Sequence, residues 1–448
     1  MLEDNLDILP QVRALRERCL IILDDCQSWQ QQQPIEGLHR YTNSLTAELS
    51  FIDKLLESPQ LIKKEHIQST NLSYLEAVHE ALTGLTYKNE VMRLFSGPLD
   101  NTKWMPRAAM IKHHHVKVDI VSENGLVWIK VIARNAKAFR HEVMGFEWDS
   151  SSESEDEDDT RASTNDFDNL PIFKKARDYL RTAKAHHVQF QTPVVVFAFM
   201  RIQPDIFVQK IMDRLTEMGI VVHLQPGELR ASYLPYLHVD DIDHIATSSL
   251  NIDVSSALAI LSELSHRVCP ADQVSAMPLK IQAEREAKVP CLPQILPYVS
   301  HRRLCMIQSA FERLQEIVEV VGGPNEKARF QYLFRHHFGL NLSFDPDLWT
   351  ILPSLSIDII PDASSEAFSK LLEPPADFRS KLNNGRKIRT RFSEFHAKIF
   401  GSGDHYQMTT LTAIQWMETA LRDAGLQGQF SVSHEPRSLA ERKMRVQA

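Results

Sequence analysis

Ser249-Leu250-Asn251-Ile252-Asp253 reads as a short buried strand that ends on an acid, and residues 254–264 continue it as a helix. A strand running straight into a helix is the opening of an α/β unit. A second acid, Asp404, follows Ile399-Phe400-Gly401-Ser402-Gly403, which reads as a strand-like pair and a glycine-rich turn ahead of a further strand over 408–413. Asp253 and Asp404 at the C-terminal ends of two strands of one sheet would converge where open α/β folds place their ligands. Clustered carboxylates are the donor set that Mg²⁺ or Mn²⁺ requires.

Working outward, the expected carboxy-terminal domain covers 246–448 and is doubly wound α/β. Helices are expected over 283–299, broken by Pro290 and Pro293, and over 304–321, 326–338 and 415–424, with closing strands at 399–400, 408–413 and 429–432. Residues 341–377, with five prolines, read as a loop-rich insertion. The expected amino-terminal domain, 1–240, is helical and then α/β. Val12, Leu15, Cys19, Ile22 and Cys26 form a helical stripe, as do Tyr41, Leu45, Leu49, Ile52 and Leu56. From Val116 the period changes to two. Ser122-Glu123-Asn124-Gly125 is turn chemistry, and residues 126–133 return, so a hairpin is expected. A helix over 173–183, the apolar run 193–199, a helix over 205–218 and a strand over 220–224 complete a strand–helix–strand crossover.

The net charge of −8 is concentrated between Asp149 and Asp168, where nine acids face one base. This serine- and acid-rich segment is expected to be a disordered loop that meets protein partners. The remainder is near neutral, so the acidity does not exclude nucleic acid. No apolar run is long enough for a membrane span, the first residues lack a basic leader pattern, and five cysteines without CxxC spacing suggest a reduced intracellular protein. A cytoplasmic or nuclear location, with no membrane partner, is the expectation.

Leu250-Asn251-Ile252-Asp253, Gln282-Ala283-Glu284-Arg285-Glu286, Gly322-Gly323-Pro324-Asn325-Glu326, the 399–404 segment and His434-Glu435-Pro436-Arg437-Ser438-Leu439 together resemble a eukaryotic family, domain of unknown function 1308. Ser69-Thr70-Asn71-Leu72 and Val127-Trp128-Ile129-Lys130-Val131 fit that family's amino-terminal half. The resemblance implies a PIN-like carboxy-terminal domain, related to the PilT N-terminus nucleases. It further implies an acidic cluster in which Asp253 is the first carboxylate, Glu284 or Glu286 the second and Asp404 the third, with Asp253 and Asp404 holding Mg²⁺ or Mn²⁺. Such an ion activates water and stabilises a pentavalent phosphate. Ile414 departs from the pattern, since many PIN proteins carry Asn or Asp there.

Arg379, Lys381, Arg386, Lys387, Arg389 and Arg391 place six bases within thirteen residues, near Phe378, Phe392 and Phe395. With Arg386, Lys387, Arg389 and Arg391 on phosphates and the rings stacking on bases, single-stranded RNA is the expected partner. Asp119 and Lys130 resemble the D…(D/E)xK arrangement of restriction-type nucleases, but Trp128 stands where that motif needs an acid. His113-His114-His115 reads as a loop leading into the strand, and no Cys–His nucleophile context stands out. The expected function is thus a metal-dependent endoribonuclease or an RNA-binding derivative of one. The rival expectation is a non-catalytic protein-interaction protein that retains a degenerate PIN-like fold.

Overall fold

A computed structural model describes residues 4–68, 70–97, 115–133, 167–349, 355–372 and 392–444. The chain divides into two compact units: residues 1–186 with 192–242, and residues 187–191 with 243–448. Both are mixed α/β, each built on a five-stranded sheet.

In the first unit, helices Asp4–Gln32, Leu38–Glu57, Lys64–Gln68 and Leu72–Thr83 precede β1 (Lys88–Ser96), β2 (His115–Ser122) and β3 (Val127–Ile132). The expected hairpin is present: β2 and β3 run antiparallel, joined through Asn124 and Gly125, both at positive φ. β1, which has no clear alternation and was not expected, pairs antiparallel with β2. Helix Pro171–Ala185 then crosses to β4 (Val194–Phe199) and helix Ile206–Glu217 to β5 (Val221–Leu224), both strands adding parallel. Side-chain alternation divides the sheet between two cores. Val196, Ala198, Ile129 and Val131 pack with the amino-terminal helices, whereas Val195, Phe197, Phe199 and Trp128 pack with the crossover helices.

The second unit is wholly parallel. Its strands are β6 (Ser249–Ile252), β7 (Arg303–Ile307), β8 (Ile357–Ile360), β9 (Thr409–Thr412) and β10 (Ser431–Ser433), in the order β10-β9-β6-β7-β8. The chain builds outward from β6 to β8, then returns to β9 on the other side of β6. The winding therefore reverses between β6 and β9, the switch point at which doubly wound sheets bind ligands.

Three expectations are corrected here. Residues 303–307 are a strand, and the helix begins only at Gln308. The proline-rich insertion contains β8 at the sheet edge. Residues 399–404 lie within helix Glu394–His405 and form neither a strand nor a turn. Gly401 and Gly403 sit in that helix because it lies close on its neighbours. An added Cβ would overlap the Ser364 hydroxyl at Gly401 and the Thr410 hydroxyl at Gly403. No helix among the described residues is long and apolar enough to cross a membrane.

Candidate functional site at the sheet switch point

Asp253 stands at the switch point, on the residue after β6. It is the N-cap of helix Val254–Leu261, in extended backbone, and is 2% exposed. One carboxylate oxygen accepts the Ser256 N–H at 2.9 Å and the Ser255 hydroxyl at 2.6 Å. The other accepts the Thr412 hydroxyl from the end of β9. The Asp253 N–H donates to the Leu411 carbonyl at 3.2 Å, and Ser255 Oγ accepts the Ala413 N–H at 2.7 Å. This carboxylate thus has its charge satisfied by three donors and stitches the end of β6 to the end of β9.

A buried chain of polar groups continues from it. Ser256 Oγ lies 2.7 Å from His434 Nε2, and His434 Nδ1 lies 2.9 Å from the carbonyl of Glu435. Cys291 Sγ is 3.6 Å from the same Nδ1. The Cys291 N–H donates to both oxygens of Glu286, at 3.0 and 3.2 Å. Glu286 in turn pairs with Arg437, whose side chain is fully buried and also donates to the carbonyls of Pro436 and Val289.

A Cys–His contact therefore exists where none was expected from the sequence. It is not a nucleophile pair. Burial pushes the Cys291 thiol up to about 12, and the thiolate is the reactive form. Ser256 Oγ, also near His434, is completely buried.

Burial, above all, depresses the His434 pKa below its usual 6.5. The sign follows directly. The unfolded chain takes up a proton near 6.5 that folded His434 refuses, so stability is complete above that pH and is lost as pH falls through it. His266, held down to about 4 mainly by burial, adds a loss of the same sign. The urea midpoint of this unit is expected to fall between pH 7.5 and 5.5, with a smaller fall in His434→Gln.

Of the four expected carboxylates, only Asp253 and Glu286 share this network. Glu284 is exposed on helix Met277–Lys288. Asp404 occupies the last turn of the helix that feeds β9. Because β6 and β9 run parallel, with Ile252 beside Leu411, that turn lies at the end of the strands opposite to Asp253. There His187, whose pKa burial lowers while the Asp404 charge opposes that shift, packs edge-on against Phe430, the residue before β10. The donor set implied for a divalent ion is not assembled: Glu286 is committed to Arg437, Asp253 to hydroxyl and amide donors, and the other two lie elsewhere. Among the described residues, no group of three or more His, Cys, Asp or Glu could hold a metal.

Ser255, Ser256, Cys291, Thr412, His434 and Arg437 went unassigned from sequence, although His434 and Arg437 fall in a segment that carried the resemblance. The contacts that join Ser256 to His434, His434 to Cys291, Thr412 to Asp253 and Arg437 to Glu286 span more than 140 residues, and no local spacing encodes them. The basic residues 379–391 and the acidic run 149–166 lie outside the described residues. In the first unit, Asp119 and Lys130 do meet. Lys130 Nζ is 2.8 Å from a carboxylate oxygen of Asp119, while Trp128 is buried and stacked on Phe95.

Residues 250–339 match the family described as a protein of unknown function, DUF1308. Residues 11–232 match a separate one, a family of unknown function, DUF5614. The resemblance to DUF1308 thus holds for the first half of the second unit, and the amino-terminal segments match a different family. No solved structure matches the chain.

Proposed function

We propose that the second unit is a PIN-like module that binds single-stranded RNA without the divalent-metal chemistry of a nuclease. The observation that carries this reading is the state of Asp253. It occupies the switch point of the parallel sheet, yet its carboxylate accepts from Ser255, Ser256 and Thr412. The RNA component rests on the bases between Arg379 and Arg391, with Phe392 and Phe395 beside them.

The test is titration of the purified full chain with single-stranded RNA, alongside a Mn²⁺ cleavage assay. Arg386→Glu with Lys387→Glu should weaken binding strongly and lower its salt dependence, and the wild type should show no cleavage that depends on Asp253. Unchanged affinity in the double variant would remove the RNA reading and leave the non-catalytic protein-interaction reading. Cleavage by the wild type that vanishes in Asp253→Asn would restore the metal-dependent endoribonuclease.

A further inference from the structure

The first unit carries a cavity of about 430 Å³ between β2, β3 and the amino-terminal end of helix Pro171–Ala185. That volume is in the range of small-ligand sites. Its wall includes Lys117, Lys130, Lys174 and Lys175, with His115 and a single acid, Asp178. Asp178 already faces Arg181 at 3.6 Å.

Lys130 is held rigidly there. Its ammonium sits on Asp119, which is fully buried and also accepts the Val131 N–H at 2.8 Å and the Tyr74 hydroxyl at 2.6 Å. Lys117 and Lys174 are exposed at the rim and reach it from a strand and a helix. Asp119 offsets the charge of Lys130 alone, so the ammonium groups of Lys117 and Lys174 leave the wall of the hollow positive and repel one another unless an anion sits between them. The positive end of the helix adds in the same direction.

We propose that this cavity binds a phosphate ester, with Lys117 and Lys174 as mobile point charges and Lys130 as the fixed one. A phosphate group suits such a site because its charge and several acceptor oxygens can satisfy several ammonium groups at once. The ester is borne by a free nucleotide or by a nucleic-acid strand.

This site is separate from the bases at 379–391, so it is tested in the full chain carrying Arg386→Glu and Lys387→Glu. The probe is a short fluorescent 5′-phosphorylated RNA followed by anisotropy, with ATP as one competitor and unlabelled RNA as the other. Lys117→Glu with Lys174→Glu should weaken binding at least about tenfold and cut the salt dependence by roughly the increment of two phosphate contacts, about 0.7 each. Lys117→Gln with Lys174→Gln should give a smaller loss in the same direction, and circular dichroism should show all variants folded. Competition by ATP identifies a nucleotide site, and competition by RNA alone identifies a strand site. Charge-reversal variants that bind like their parent would overturn the proposal, as would failure of every probe to bind at millimolar concentration.

Discussion

Arg437→Ala should lower the unfolding free energy of the second unit by about 3–5 kcal/mol, the usual cost of removing one partner from a buried ion pair. The Arg437 side chain is completely buried, and its partner Glu286 is 8% exposed. Removing the guanidinium leaves a carboxylate in the interior with only the Cys291 N–H to satisfy it. It also frees the carbonyls of Pro436 and Val289. Urea unfolding followed by circular dichroism reads the effect. Glu286→Gln together with Arg437→Met should recover much of the loss, because an uncharged pair no longer strands a charge. If Arg437→Ala proved neutral, the pair would not be the fastener described here.

Asp253→Ala should cost about 3 kcal/mol. Loss of an N-cap accounts for roughly 1 kcal/mol. The rest comes from leaving the Thr412 and Ser255 hydroxyls without their acceptor in a buried site, at about 1–3 kcal/mol for an unsatisfied group. Asp253→Asn should cost much less. Its amide oxygen can still cap the helix and accept from Ser255, although its amide nitrogen then faces a hydroxyl that had been donating. The pair of variants separates a structural carboxylate, for which Asn is a fair substitute, from one whose negative charge is needed by a bound cation.

How far the chain could be read varies with the locality of the forces involved. The run Val194–Phe199 and the stretch Ser249–Ile252 were legible as strands because they are short, apolar and bounded by turn or cap residues. Arg303–Ile307 was not. Its apolar residues abut an amphipathic helix, and periodicity cannot separate a short buried strand from a helical turn. Ile357–Ile360 lay hidden among prolines, and what makes it a strand is pairing with β7. Gly401 and Gly403 suggested a turn, but they permit close approach of a helix to Ser364 and Thr410, a tertiary cause that local sequence does not carry. That one misreading placed Asp404 at the wrong end of the sheet.

At the site, Asp253 was identified at the end of its strand, because an acid that closes a short apolar run ahead of a helix is a local signal. Its third donor, Thr412, and the Ser256–His434–Cys291–Glu286–Arg437 chain were invisible. Apart from the local Cys291–Glu286 contact, each link joins segments far apart in the chain.

The most direct measurement is the thermal midpoint of the full chain with and without millimolar Mn²⁺, in the wild type and in Asp253→Asn. With the Asp253 carboxylate already engaged by Ser255, Ser256 and Thr412, and Asp404 at the opposite end of the strands, the ion should leave the midpoint of both proteins unchanged. A ligand that binds only the folded state raises stability by mass action. A Mn²⁺-dependent rise in the wild type that disappears in Asp253→Asn would therefore contradict the account.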